Sequence, residues 1–309
     1  MTVVAKTPLR SEAQAQFGGI EILPIGGIIG AEVRGVAVSG ELSRAAVLAV
    51  HQALLKHKVL FFRDQSLDDA RQEAFAHLWG RKLIAHPTIP SLEGTEAILD
   101  VDGVNSRATN WHTDFTFVDA YPSVSMLRAV ELPERGGDTL WANTVAAYNE
   151  LPQALREFAD KVWALHTNDY DYAASHKVRP EGLKRFNDVF TKRVFETEHP
   201  LVRVHPDTGE RALLIGNFIK KLIGFHSADS RRLIEIFHDH ATRPENTIRW
   251  HWRPGDLAIW DNYATMHRAV DDYDDLPRIM RRTTLEGIPP VGLDGRASQT
   301  RSYEKAQAA

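Results

Sequence analysis

Between Ser43 and His57 the apolar residues Val47, Val50, Leu54 and Leu55 recur at helical spacing, and Ser43 sits where a hydroxyl would cap the first turn. The pattern predicts a helix over 43–57. Val59-Leu60-Phe61-Phe62 is uninterruptedly apolar and reads as a buried strand. A second helix is expected over Leu67–Trp79, with Ser66 as its cap, Asp69 in its first turn and Gly80 ending it. His77 on that helix reads as a surface or packing residue. Upstream, Ile20–Leu23 and Ile28–Val38 are expected strands punctuated by Gly26, Gly27, Gly30 and Gly35. Glycines in this order also occur in phosphate loops. Here no helical pattern follows and no acidic partner stands downstream, so a turn is the better reading.

From about Thr95 the texture changes. Short β-rich runs recur at 97–101, 125–131, 139–142, 163–166, 201–205, 212–215, 247–252, 257–260 and 279–285. In 247–252, Ile248, Trp250 and Trp252 alternate with Thr247, Arg249 and His251, as a strand with one wet face would. Helices are expected at 144–151, 153–161 and 227–241. Many short antiparallel strands with helices outside them imply a mixed α+β fold, a jelly-roll barrel with a helical layer. Residues 1–17 read as a mobile arm, 18–291 as one domain, and 292–309 as a mobile tail. Residues 169–198 lack periodicity and read as a lid-like insert.

Composition narrows the chemistry. The chain has 309 residues, 43% hydrophobic and 25% charged, enough for a sizeable core. It has no Cys, so disulfides, iron–sulfur clusters and thiolate zinc sites are excluded, and any metal must sit on His and carboxylates. A net charge of -4 without dense Lys/Arg runs gives no sign of a nucleic-acid or membrane-surface partner. No apolar run reaches the length of a membrane span, and the first seventeen residues lack a signal-peptide core, so the expected location is cytoplasmic.

The candidate chemistry centres on Asn110-Trp111-His112-Thr113-Asp114-Phe115-Thr116-Phe117. On a strand, His112 and Asp114 would point to one face and could reach one ion together. They would form two-thirds of a 2-His-1-carboxylate triad, which leaves positions open for oxygen and substrates. With fourteen His residues, a chance match is easy, and His205-Pro206-Asp207 is a second one. That copy runs into Thr208-Gly209 and reads as a hairpin turn. His267 follows a strong strand and a turn. Downstream, Arg278 and Arg282 are four residues apart, on one side of a strand and roughly 13 Å from each other, while Arg281 points away. Two guanidinium forks at that distance would suit two separate anions.

Over most of its length the chain resembles the Fe(II)/2-oxoglutarate-dependent dioxygenases of the taurine dioxygenase family. The matching stretches are His86-Pro87, Asn110–Phe117, Glu131-Leu132-Pro133, Gly136–Trp141, Glu198-His199-Pro200, Trp260-Asp261-Asn262, His267 and Arg278–Arg282. The resemblance implies a double-stranded β-helix core with surrounding helices. It implies Fe(II) on His112, Asp114 and His267, with O2 and with 2-oxoglutarate as cosubstrate. Thr139 and Arg278 would bind the distal carboxylate of 2-oxoglutarate. Arg282, also counted among the cosubstrate residues, would hold the substrate's anionic head together with His86, near the Phe115 amide. The reaction implied is hydroxylation next to an anionic group, with release of succinate and CO2. Replacing Asp114 by Ala is expected to abolish metal binding and leave the fold intact. A homo-oligomer, dimer or tetramer, is expected.

Taurine-specific members carry polar residues where this chain has Ile89 and Ala108. That departure favours a longer or more apolar anion and resembles the alkylsulfatase branch, as do Trp163–Asn168 and Val270–Tyr273. Such an enzyme would cleave an alkyl sulfate to an aldehyde and sulfate. Taurine or alkanesulfonate and phenoxyalkanoate dioxygenases of the same family share parts of the pattern. Outside the family, a non-catalytic cupin-type binding protein or a zinc hydrolase would also use these His residues.

Overall fold

The computed structural model describes residues 19–103, 107–169 and 188–304. The expected arm at 1–17 and most of the insert at 169–198 lie outside them. The strands are β1 (Glu21–Pro24), β2 (Ala31–Arg34), β3 (Val59–Phe62), β4 (Leu99–Asp102), β5 (Val124–Glu131), β6 (Thr139–Asn143), β7 (Trp163–Thr167) and β8 (Arg193–Pro200). They continue with β9 (Val202–Val204), β10 (Arg211–Leu213), β11 (Ile219–Leu222), β12 (Thr247–Trp250), β13 (Leu257–Asp261), β14 (Thr265–Ala269), β15 (Ile279–Leu285) and β16 (Gln299–Glu304). Helices are α1 (Arg44–His57), α2 (Asp69–His77), α3 (Thr144–Asn149), α4 (Gln153–Ala159) and α5 (Ser227–Ala241). Among the described residues no helix is long and apolar enough to cross a membrane.

One wall is a seven-stranded sheet in the order β1-β2-β3-β13-β5-β15-β4. The other is built in two pieces, β12-β6-β14 and β11-β7-β8-β16. The pieces are joined across the stretch that carries His112. His112 exchanges both backbone bonds with His267 of β14, at 3.0 and 2.8 Å, and Asn217 N–H donates to the Trp111 carbonyl at 2.9 Å. Strand alternation then sorts the core. On β3 and β13, Phe61 and Trp260 face the barrel interior and cluster with Trp141, Trp250 and Trp252. Leu60, Phe62, Leu257 and Ile259 face the opposite side, where they meet α1 and α2. Because both faces of these strands are covered, they read as continuous apolar runs. On the other wall, α3, α4 and α5 cover β6 and β14 through Tyr148, Ala159 and Phe237 against Ala142 and Met266. The fold is a mixed α+β double-stranded β-helix with an outer helical layer.

Several sequence expectations shift. Ser43 caps α1, its hydroxyl accepting the Ala46 amide at 3.2 Å. α2 starts later than expected, with Asp68 rather than Ser66 as its cap: the Asp68 carboxylate accepts the Arg71 amide at 2.8 Å. An anion is favoured there because the first-turn amides carry the positive end of the helix dipole. Gly80 ends that stretch with φ +70°, as expected. The glycine-rich segment 26–30 is the turn between antiparallel β1 and β2. Gly30 has φ +91°, and a Cβ there would lie 2.5 Å from Ile248, which explains glycine without any phosphate. The expected tail after Gly292 instead carries β16, paired antiparallel with β8 from Gln299↔Glu198 to Glu304↔Arg193. Residues 193–198 of the expected insert are likewise strand. Both segments are polar, and they are held by backbone pairing more than by apolar burial, so periodicity gave no sign of them.

Candidate active site

The residues singled out from the sequence converge on one end of the barrel. His112, Asp114 and His267 are all buried, and one ligand atom from each lies within 4.8 Å of the other two. His267 is central in β14, while His112 forms only an isolated bridge beside it. Asp114 is not on a strand. It leads into a tight turn in which Phe115 adopts φ 57°, a left-handed conformation costly for a bulky residue. The turn is held from outside. Asn262 accepts the Asp114 amide on Oδ1 at 3.0 Å and donates from Nδ2 to the carbonyls of Asp114 and Pro122 at 3.2 and 2.9 Å. Thr113 donates to the Thr265 carbonyl at 2.8 Å.

The donor set suits a divalent cation. His112 Nδ1 lies 2.8 Å from the Asn110 carbonyl, so it carries the proton and puts the ring's lone pair on Nε2. Burial pushes His112 and His267 below their ordinary range and keeps both imidazoles neutral. Burial alone would raise the Asp114 carboxyl. The Arg282 guanidinium, His267, His112 and the Ser125 hydroxyl outweigh that and bring it down to about 2. Asp114 Oδ2 accepts from Ser125 at 2.7 Å, and Oδ1 accepts from Arg282 Nη1 at 2.5 Å. Two neutral imidazoles and an ionised carboxylate, with His112 and Asp114 each oriented by a second partner, are the ligands that Fe(II) takes in a facial triad.

Beside the triad, one cavity is lined by His112, His267, Ala108, Thr139, Arg278 and Arg282 among others, and none of its described lining residues is Asp or Glu. A zinc hydrolase would need a carboxylate base there. Arg278 is buried, donating from Nε to the Gly137 carbonyl at 2.8 Å and from Nη2 to Thr139 Oγ1 at 3.3 Å. No ion pair to a carboxylate forms at Arg278 among the described residues. Thr139 Oγ1 also accepts from Trp252 Nε1 at 3.0 Å, so its own hydrogen is free to donate outward. Arg281 points the other way, as alternation predicts, and pairs with Asp100 outside the barrel.

His86 sits beyond Arg282. Its Nδ1 accepts the amides of Thr88 and Ile89 at 3.1 and 3.0 Å, so the proton is on Nε2, and Nε2 is buried without a partner. Burial and the neighbouring Arg282 charge hold this ring far below the usual histidine range, against the pull of Asp114. Among the described residues His86 is thus a neutral hydrogen-bond donor with nothing to donate to. Around it stand Phe115, Phe190 and Phe117, at 4.5, 5.7 and 6.2 Å between ring centroids. Ile89 and Ala108 pack against the same aromatic cluster. The Arg282 guanidinium lies over the Phe115 ring at 4.8 Å.

Ser125, Asn262 and Asn110 had no assigned role in the sequence. Ser125 left a signal: a hydroxyl on the inward face of β5, in register with Leu127 and Ala129. His205 is the hairpin residue expected, and its ring also reaches Asp261 at 3.0 Å, behind the turn that carries Asn262.

The model of the taurine catabolism dioxygenase TauD, TfdA family matches residues 21–284. An alpha-ketoglutarate-dependent sulfate ester dioxygenase of Pseudomonas putida is 55% identical over 91% of this chain and 94% of its own. An alkylsulfatase of Acinetobacter baylyi is 49% identical, covering 91% and 89%. Among solved structures, a taurine dioxygenase from Burkholderia xenovorans superposes with a TM-score of 0.77 at 38% identity, covering 91% of this chain and 94% of that one. A family domain matched over nearly the whole described barrel, with His112, Asp114 and His267 grouped as a metal would need them, makes this chain a member of the TauD/TfdA dioxygenase family.

Proposed function

We propose that this protein is an Fe(II)- and 2-oxoglutarate-dependent dioxygenase that cleaves alkyl sulfate esters to an aldehyde and sulfate. The observation that carries the substrate class is a donor without a partner among the described residues, set in apolar surroundings: His86 Nε2, ringed by Phe115, Phe117 and Phe190, with Ile89 and Ala108 on the same cluster. The two relatives named for sulfate ester and alkyl sulfate chemistry support the same reading.

His112, Asp114 and His267 hold the iron, which with O2 and 2-oxoglutarate supplies oxidation of a C–H bond as succinate and CO2 leave. Arg278 gives its free guanidinium edge to the distal carboxylate of 2-oxoglutarate, and the Thr139 hydroxyl donates beside it. Arg282, bonded to Asp114, and the neutral His86 would grip the sulfate group, with the Phe115 amide close by. A hydroxyl added to the carbon that bears the ester oxygen makes that carbon's bond to sulfate oxygen labile, and aldehyde and sulfate separate. The aromatic cluster keeps water from the reacting carbon and strengthens each of these polar contacts. Ile89 and Ala108 offer nothing to an ammonium group, so a zwitterion would lose hydration there uncompensated. We also read the enzyme as cytoplasmic and as a dimer or tetramer; Ile288, Val291 and Leu293 are exposed apolar side chains available to such an assembly.

The test is a panel of hexyl sulfate, taurine and a phenoxypropionate with Fe(II) and saturating 2-oxoglutarate, reading succinate and sulfate. Hexyl sulfate should exceed taurine in kcat/KM by several powers of ten, at about 1.4 kcal/mol per decade. Taurine ahead would sink the reading of Ile89 and Ala108. Turnover of the phenoxypropionate alone would move the protein to the phenoxyalkanoate branch.

A further inference from the structure

Phe190 belongs to neither wall of the barrel. It ends the short helical turn 188–190 just before β8, yet its side chain is fully buried. Its ring meets His86 and Phe117 at 5.7 Å and Phe218 at 6.5 Å between centroids. A staple of hydrogen bonds holds this turn. Asn168, at the end of β7 and fully buried, donates from Nδ2 to the carbonyls of Phe190 and Arg193 at 2.8 and 2.9 Å. Its Oδ1 accepts the Phe195 amide at 2.8 Å. One amide side chain thus satisfies three backbone groups at the entry to β8. Buried backbone groups need such partners, and no sheet pairing supplies them at Phe190.

We propose that Phe190 sets the length of alkyl chain the enzyme accepts, and that Asn168 is the positioning residue that holds it. The inference rests on the alkyl sulfate reading above. An anion gripped by His86 and Arg282 has the charged pair Arg282–Asp114 on one side and the aromatic rings on the other. Its hydrocarbon tail must run along the rings. Phe115 and Phe117 are carried by the Asp114 segment, and Asn262 and the metal ligands fix that segment. Phe190 comes from a separate stretch of chain held through Asn168, so it is the wall that can change without disturbing the metal centre. Each methylene that gains or loses a buried place is worth roughly fourfold in affinity. Removing the Phe190 ring opens room for several.

The experiment compares kcat/KM for butyl, hexyl, octyl and decyl sulfate in the unmodified protein, Phe190→Leu, Phe190→Ala and Phe190→Trp. Dissociation constants for the same series are measured by calorimetry on metal-free protein. Ratios between chain lengths within one variant do not depend on the fraction folded. Phe190→Ala should raise the decyl-to-butyl ratio at least tenfold, Phe190→Leu should move it less, and Phe190→Trp should lower it. Asn168→Asp, which keeps the acceptor and loses both donor bonds, should flatten the chain-length profile through KM while kcat for butyl sulfate changes little. An unchanged profile across the Phe190 variants, with the unmodified protein active on sulfates, overturns this inference alone. No sulfate turned over by the unmodified protein overturns it together with the substrate reading.

Discussion

Arg278→Ala should weaken 2-oxoglutarate binding without changing the response to substrate. In the structure the Arg278 guanidinium is 3% exposed and spends two donors on the Gly137 carbonyl and Thr139 Oγ1. Its charge meets no carboxylate at ion-pair distance among the described residues. Burial lowers its pKa, a sign of how strongly the site disfavours an uncompensated cation. A ligand carboxylate at the free edge would form charge-assisted bonds worth about 1.5–3 kcal/mol. Their loss corresponds to a rise in Kd of roughly 10- to 150-fold. Arg278→Lys keeps the charge and loses the fork, so it should fall between. The assay is calorimetric titration of 2-oxoglutarate into the Mn(II)-loaded protein, with KM for hexyl sulfate measured separately. An unchanged Kd for 2-oxoglutarate with a raised KM for the sulfate would show that the roles of Arg278 and Arg282 are exchanged.

Thr139→Val keeps the shape of β6 but removes both a donor to 2-oxoglutarate and the acceptor of Trp252 and Arg278, so Kd for 2-oxoglutarate should rise by at least about 2- to 13-fold, from roughly 0.5–1.5 kcal/mol for the lost donor alone; no change would deny the hydroxyl a role. Asp114→Ala should abolish metal binding and, contrary to the expectation from sequence, also destabilise the fold. It strands buried Arg282 without its 2.5 Å partner, a loss on the order of 3–5 kcal/mol. Adding Arg282→Met should recover part of the Tm; a single variant as stable as the parent would refute the pairing. Acid should destabilise the protein through His166 and His199, both held neutral by burial, His199 down to about 3. Their folded pKa lies below the unfolded value of about 6.5, so stability is full above that pH and falls below it. The slope is roughly 1.4 kcal/mol per pH unit for each ring, and His199→Gln should flatten it in denaturant midpoints taken between pH 7.5 and 5.

Much of the site was legible because strand alternation is a local rule. Arg278 and Arg282 face inward and Arg281 outward, as even spacing requires, and Trp260 and Trp141 fill the barrel from strands whose apolar runs were plain. The structure does bring His112 and Asp114 together, but not by the route the spacing suggested. No strand continues through Asp114. The carboxylate reaches the metal group through a left-handed turn at Phe115, pinned by Asn262 from 148 residues away. Nothing local encodes such a clamp. The same holds for the strand that carries His267. Thr265-Met266-His267-Arg268-Ala269 lacks a β-branched run, and it is a strand because β6 lies beside it. β16 was missed because it is polar and exposed and rests on pairing with β8, and β8 because only Val194 and Phe195 of its residues 193–198 are apolar, its place being set by pairing with β7 on one side and β16 on the other.

The charges at the site carry the substrate argument one step further. Arg278 and Arg282 are buried cations, and Asp114 is the buried anion between them and the imidazoles. Arg107 at the cavity edge is matched by Asp271. Burial keeps His86, His112 and His267 neutral. The protein alone therefore leaves one positive charge over. A divalent metal adds two and dianionic 2-oxoglutarate removes two. The remaining charge is cancelled by a monoanionic substrate and left standing by a zwitterion. In a buried site with the cluster of Phe115, Phe117 and Phe190 packed beside it, an uncompensated charge costs several kcal/mol. A sulfate monoester closes the balance, and taurine, with its ammonium group, does not. The loss of polar groups at Ile89 and Ala108 and the charge count thus act in the same direction: one removes the ammonium's partners, and the other makes its charge the one too many.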